Sequence, residues 1–212
     1  MSKVEPHEVS VSSSLAVGVD GLRRCAWVGR DQEYVRYHDE EWGVPLHGDR
    51  ALFEKISLEG FQAGLSWISI LRRRPAFRHA FLGFDPELVA TFTPRDVDLL
   101  MTDAGIIRNR AKIEATIRNA AVTVGLTKHS PGALDALVWS FTPARADRPR
   151  QLVDLPAHTP ESRALSAALR SLGFSFVGPT TMYALMQSGG LVDDHVEGCW
   201  RATEPNPASG AG

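Results

Sequence analysis

What this chain lacks narrows it first. Its 212 residues hold two cysteines, too few for a disulfide framework, so a metal or free thiols become the uses to weigh. It has little net charge, −2 at neutral pH. A global field for nucleic acid is thereby excluded, and any such surface must be a local patch. No apolar run approaches the roughly 18 residues needed to cross a bilayer. The N-terminal stretch has no secretion-signal pattern, and the expected location is cytoplasmic. No stretch alternates with period two, no repeat occurs, and no linker breaks the interior. Hydrophobic content of 43% is ordinary for a globular protein. These features predict one all-α domain with short connections.

The ends are polar and poor in bulky apolar residues. Residues 1–21 read as a disordered leader and 202–212 as a disordered tail, leaving a domain over 22–201. The stretch Arg145–Pro149 reads as the longest loop. Inside, Asp31 predicts a cap for a helix carrying Tyr34, Tyr37, His38 and Glu41, ended by Gly43 and Pro45. Asp49 predicts the cap of a second, with Leu52, Phe53, Ile56 and Leu58 as its apolar stripe. A third runs from Trp67 to Arg74 and is stopped by Pro75. Asp85-Pro86 and Thr93-Pro94 each read as a cap followed by a first-turn proline. Further helices fit Arg110–Val124, Pro131–Phe141, Ser162–Leu172 and Pro179–Ser188.

Each cysteine keeps a fixed distance from a histidine: Cys25 with His38, and His195 with Cys199. Thiolate and imidazole are the usual ligands of a closed structural zinc site. The His-x-x-x-Cys spacing would put two ligands on one face of a helical turn. Four such ligands would clasp the two ends of the domain around one zinc ion. Two buried cysteines and two unrelated histidines would leave the same letters, since free cysteine often serves as a small core residue.

Residues 97–113 read as helix, tight hairpin, helix. Gly105 is expected to end the first helix in the left-handed region, and Ile106 and Ile107 to plug the gap. Arg108, Arg110 and Lys112 then stand at the mouth of the second helix, where backbone N–H groups favour phosphate. An ordinary αα-hairpin with a solvated basic face would read the same way. The run Arg72-Arg73-Arg74 is the fallback for a DNA grip.

Trp27, Tyr34, Tyr37, Trp42 and Trp67 crowd together with Glu59. Aromatic residues are usually core, but they also offer flat faces on which a base stacks. A glutamate in an otherwise apolar, small-residue run is rarely buried without a partner. Glu59 is therefore a candidate for recognising a polar or cationic ligand, or else is satisfied by the protein itself.

The chain closely resembles the bacterial 3-methyladenine DNA glycosylase I family. The matching stretches are 24–28, Tyr37-His38-Asp39-Glu40-Glu41-Trp42-Gly43-Val44-Pro45, Leu58-Glu59-Gly60-Phe61-Gln62-Ala63-Gly64-Leu65-Ser66-Trp67, 103–108, 138–141, 173–178 and 190–195. The resemblance implies a helix-hairpin-helix glycosylase fold with zinc on Cys25, His38, His195 and Cys199. It implies a base pocket of Tyr37, Glu59 and Trp67, with Trp27, Trp42 and Tyr34 close by. Glu59 is the one catalytic candidate and Gly105, Arg108, Arg110 and Lys112 are the backbone-binding set. The implied reaction is hydrolysis of the N-glycosidic bond of 3-methyladenine in alkylated double-stranded DNA by a monomer. The free base is released and an abasic site remains. Many relatives in the wider superfamily carry a catalytic aspartate downstream of the hairpin. Here no acidic residue lies between Glu114 and Asp135, so the group that activates water is unassigned. Two other classes compete: a non-catalytic zinc-clasped DNA-binding module, which would not need the Glu59–Trp67 pocket, and a zinc hydrolase, which would need an open metal position.

Overall fold

The computed structural model describes residues 14–144 and 148–202. A two-stranded antiparallel hairpin, β1 (Leu15–Val17) and β2 (Arg23–Cys25), precedes ten α-helices among the described residues. These are α1 (Gln32–Glu40), α2 (Asp49–Gln62), α3 (Trp67–Leu71), α4 (Arg74–Ala80), α5 (Pro86–Val89), α6 (Pro94–Leu100), α7 (Arg110–Thr127), α8 (Ala133–Trp139), α9 (Pro160–Ser171) and α10 (Pro179–Ser188). The protein is mostly helical rather than all-α, and the hairpin takes part of the segment expected as a disordered leader. Strands of three residues are too short to show alternation. The rest of that leader, the tail beyond residue 202 and positions 145–147 of the predicted loop lie outside the described residues.

The α2 helix is the axis of the molecule. Leu52, Phe53, Ile56, Leu58 and Phe61 are all buried on it, and so are the polar Lys55, Ser57 and Glu59. A helix buried on every side must be enclosed by neighbours, and α3, α7, α8 and α10 pack around it. One flank is a run of phenylalanines: Phe61 meets Phe77 at 4.6 Å between ring centroids, and Phe81 meets Phe84 at 5.4 Å. A second, smaller core joins Cys25, Val28, Tyr37, Trp42 and Leu71 to Val196 and Cys199. Trp67 packs against both cores.

Local chemistry sets most helix starts. Asp31 caps α1 by accepting from the Glu33 and Tyr34 amides, and Asp85 caps α5 the same way. Thr93 and Asp96 form a capping box on α6, and Pro179 opens α10. Other boundaries depart from the sequence reading. Asp49 is the first residue of α2, behind Gly48, and its carboxylate caps α8 instead. The predicted helix from Trp67 to Arg74 breaks at Leu71, and Pro75 lies in the first turn of α4 rather than ending α3. The α8 helix starts two residues after Pro131, at Ala133. Gly43 has φ 79, and a Cβ there would stand 2.8 Å from the His195 ring, so both conformation and space require glycine.

Candidate functional site

The predicted aromatic set converges. Tyr34 and Tyr37 come from α1, Trp27 and Trp42 from the turns flanking it, Glu59 from α2 and Trp67 from the start of α3. All six line one chamber of about 210 Å3, with Gln62, Leu155, Ala184, Gln187 and Ser188 completing its wall. Tyr37 and Trp67 stand 5.5 Å apart as a tilted pair. Trp27 meets Tyr34 at 5.5 Å and Trp42 at 5.2 Å, both edge to face. Tyr34 holds this geometry by accepting from the Ile68 amide at 3.0 Å, which fixes the first turn of α3 under Trp67. The Trp67 Nε1 donor is buried and has no hydrogen-bond partner among the described residues. Such a donor is unfavourable unless something fills the place of its acceptor.

Glu59 is not a lone carboxylate. Ser188 donates to its Oε1 at 2.9 Å, and the Lys55 ammonium stands 3.5 Å from the same oxygen. Lys55 also donates to the Tyr37 hydroxyl at 2.9 Å. Its Nζ lies 4.3 Å from the Trp67 ring centroid and 5.1 Å from that of Tyr37, within reach of the electron-rich faces. Burial pushes the Glu59 carboxyl up and the Lys55 ammonium down, each opposed by the partner's charge. Burial likewise raises the Tyr37 phenol. Lys55, which reaches this cluster from the far side, is a residue that the sequence reading missed. The signal existed: Lys55 precedes Glu59 by one helical turn, among the apolar Leu52, Phe53, Ile56 and Leu58 of the same helix.

Behind this chamber lies a second one of about 240 Å3, lined by Lys55 with Glu40, Glu41, Glu54, Arg74 and Arg78. Trp67 and Ser188 border both chambers. At the rim, Arg74 grips both oxygens of Glu41, and Arg78 bonds Glu54 at 2.8 Å.

The cysteine–histidine residues also meet. The donor atoms of Cys25, His38 and Cys199 lie within 4.8 Å of one another, all buried. His195 is not part of that trio but stands beside it, its ring centroid 4.9 Å from that of His38. Its Nε2 is buried with no hydrogen-bond partner among the described residues. The two Nδ1 atoms are held by carboxylates: His38 by Asp39 at 2.8 Å and His195 by Asp193 at 2.9 Å. That turns the His195 Nε2 toward no protein partner among the described residues and the His38 Nε2 toward Cys199 Sγ at 3.4 Å, the outer-shell arrangement of metal-ligating histidine. The Cys199 thiol is pulled down to about 4, first by the hydrogen bond from Cys25 and next by His38, while the same bond and burial push Cys25 up. Donor types, the orphaned Nε2 and the fixed tautomers together fit a metal ion. His195 and Cys199 sit on a non-helical segment with a turn at Glu197–Gly198, so the predicted helical face does not carry them. Arg24 and Trp200, each next to a cysteine, both bond Asp39.

The hairpin region corrects the reading more strongly. The α6 helix ends at Leu100, and Gly105 is absent from the left-handed glycines. Its glycine is favoured by packing, since a Cβ would crowd that of Ala76 at 3.0 Å. The Gly105 amide donates to Asp103 Oδ1 at 2.7 Å and is thus already used. Lys112 is buried, and its ammonium donates to the Phe61 and Ala63 carbonyls at 2.9 and 2.7 Å, closing the C-terminus of α2. Arg110 is exposed but paired with Asp98 at 2.6 Å. Arg108 is exposed. In the fallback run, Arg72 pairs with Asp31, Arg73 with the Ser69 carbonyl and Arg74 with Glu41.

A helical body with a chamber of tilted and edge-on rings around a shielded carboxylate has the shape and polarity for one flat ring. Comparison supplies the class: the chain belongs to the methyladenine glycosylase family, whose profile matches residues 27–202. It is 48% identical over 179 residues to the DNA-3-methyladenine glycosylase of Haemophilus influenzae, covering 83% of this chain and 96% of that one. It is 47% identical over 180 residues to DNA-3-methyladenine glycosylase 1 of Escherichia coli K12, covering 84% and 96%. Among solved structures, a 3-methyladenine DNA glycosylase I superposes with a TM-score of 0.81 at 44% identity, covering 85% of this chain and all (100%) of that one. The Staphylococcus aureus enzyme, solved to explain 3-methyladenine recognition, superposes at 0.80 with 34% identity over 86% and 98%.

Proposed function

We propose that this chain hydrolyses the N-glycosidic bond of 3-methyladenine in alkylated double-stranded DNA, releasing the free base and leaving an abasic site. The observation that carries this reading is the chamber itself. Glu59 and the five predicted aromatic residues wall one base-sized space, and the buried Trp67 Nε1 has no acceptor among the described residues.

The chemistry follows from charge. Methylation at N3 makes the purine a cation, which weakens its bond to the sugar, so no protonation of the leaving group is needed. The protein must extract the nucleotide and hold the base. Tyr37 and Trp67 offer ring faces, worth about 0.5–2 kcal/mol each toward a cation. Glu59 accepts from the base edge, and the Trp67 indole supplies a donor. Arg108 and Arg110, with the loop before α7, form the backbone grip that the family resemblance implies. Lys112 supports it from inside.

The fitting metal is zinc, held by Cys25, His38, His195 and Cys199. When bound, it locks β2, α1 and the segment after α10 together. With four protein ligands its role is structural. The protein acts as a monomer. Among the described residues no helix is long and apolar enough to cross a membrane.

The test is incubation with methylated DNA and detection of free 3-methyladenine. Retention of every methylated base in the polymer would overturn the reading. Metal analysis of the purified protein should return one zinc per chain, and Cys199→Ser should lose that zinc and lower the melting temperature.

A further inference from the structure

Lys55 has no part in the reaction just described, yet its ammonium is built into the cage. It approaches from behind. Lys55 lines the rear chamber and Glu59 the front one, with Trp67 and Ser188 as the shared wall. From there its Nζ reaches Tyr37 Oη at 2.9 Å, Glu59 Oε1 at 3.5 Å and the Trp67 ring at 4.3 Å. A base can therefore enter the front chamber without evicting it.

The movement of charge decides what such an ammonium does. The bound 3-methyladenine begins as a cation. The C1′–N9 bond breaks with its electron pair passing to N9, so the base leaves neutral. The positive charge goes to the sugar as an oxocarbenium ion, which takes the oxygen of water and releases a proton to solvent. Positive charge thus leaves the cage as the barrier is crossed. A bare carboxylate beside the base would hold the cationic ground state more tightly than the transition state, which opposes catalysis. An ammonium in the same place does the reverse.

We propose that Lys55 sets the rate of this pocket. Its ammonium offsets the charge of Glu59, raises the energy of the bound cationic base, and is relieved as the base departs neutral. Glu59 then recognises the base by hydrogen bonding within a paired, near-neutral site. This inference rests on the glycosylase reading and goes beyond it in assigning the charge balance.

The experiment measures release of 3-methyladenine from methylated DNA by the full chain and by Lys55→Met, Glu59→Gln and the double variant, with kcat and KM separated. Lys55→Met keeps the length of the side chain and removes its charge. It should lower kcat about tenfold and lower KM as well, the signature of lost ground-state destabilisation. Adding Lys55→Met to Glu59→Gln should still lower kcat. Ethylammonium should restore the rate of Lys55→Ala, and ethanol should not, a difference that a space-filling role would not produce. A Lys55→Met kcat equal to or above the parent's overturns the inference, as does a fall in kcat with a raised KM or rescue by ethanol. Melting curves identify any variant that fails to fold, and the Lys55→Ala rescue then decides. Absence of release by the parent chain would instead remove the glycosylase reading.

Discussion

Asp49 and Asp135 cap each other's helices. The Asp49 carboxylate accepts from the Gly132 and Asp135 amides at 2.6 and 3.0 Å, at the start of α8. Asp135 in turn accepts from the Gly48 amide at 3.0 Å, at the start of α2. Each acid stands where the partner helix presents its unsatisfied donors and positive dipole end. Asp49→Ala should therefore fray α8 although the change is on α2. The expected loss is about 1–2 kcal/mol, read as a lower midpoint in urea unfolding. An unchanged midpoint would show that the cross-cap contributes nothing.

Trp67→Phe separates the ring from its N–H. Stacking area is largely kept, while the buried Nε1 that lacks a partner disappears. Removal of the unpaired donor offsets packing that the smaller ring loses against the two cores, so the melting temperature of the free protein should shift little. Binding of free 3-methyladenine should weaken by a factor of about ten or less, the worth of one hydrogen bond. A fluorescence or NMR titration decides, and undiminished affinity would remove Trp67 Nε1 from base recognition.

Arg108→Ala and Lys112→Met should part company in DNA binding. Loss of a phosphate contact at Arg108 should reduce the slope of log affinity against log salt by about one. Lys112 is enclosed, donating to the Phe61 and Ala63 carbonyls. Its replacement should leave the slope alone and lower the stability of the fold. Equal slopes for the parent and Arg108→Ala would show that the grip lies elsewhere.

Acid should unfold the protein partly through Glu41. Two hydrogen bonds from Arg74 hold this carboxyl below its ordinary value of 4.5. A lowered carboxyl adds stability that is fully present above the unfolded value and is lost as pH falls through the folded one. The melting temperature should therefore drop as pH falls below about 4.5, and Glu41→Gln should flatten that drop. Identical acid limbs in the two proteins would contradict the assignment.

Much of this was legible in the sequence because its causes are local. Asp31, Asp85 and Thr93 cap helices through amides two or three residues away, and the proline at 179 opens α10. The crowding of Trp27, Tyr34, Tyr37, Trp42, Glu59 and Trp67 carried through to one chamber because α1 with its flanking turns, α2 and the start of α3 are packed together. What escaped depends on distant partners. Lys112 looked like a surface cation, yet α7 lays it across the end of α2. Asp49 looked like its own helix's cap, yet it serves a helix more than eighty positions away. Lys55 reads as a solvated residue until Tyr37 and Trp67 close over it. The backbone of Gly105 follows Ala76 on α4, which no local pattern reveals.

The smaller core has a consequence for how the chain is made. Cys25, Tyr37 and Trp42 belong to one early stretch, and they pack on Val196 and Cys199. Glu59 likewise finds its hydroxyl donor only at Ser188. During synthesis the main core also waits on late residues, because Met182, Leu185 and Met186 of α10 belong to the same cluster as Phe53, Phe61 and Phe77. The chamber then exists only as half a wall, its rings and carboxylate exposed, until α10 and the segment after it emerge and dock. Completion of the chamber is thus the final event of the chain's birth, and a translation stall between α9 and Cys199 would leave both cores open along one side.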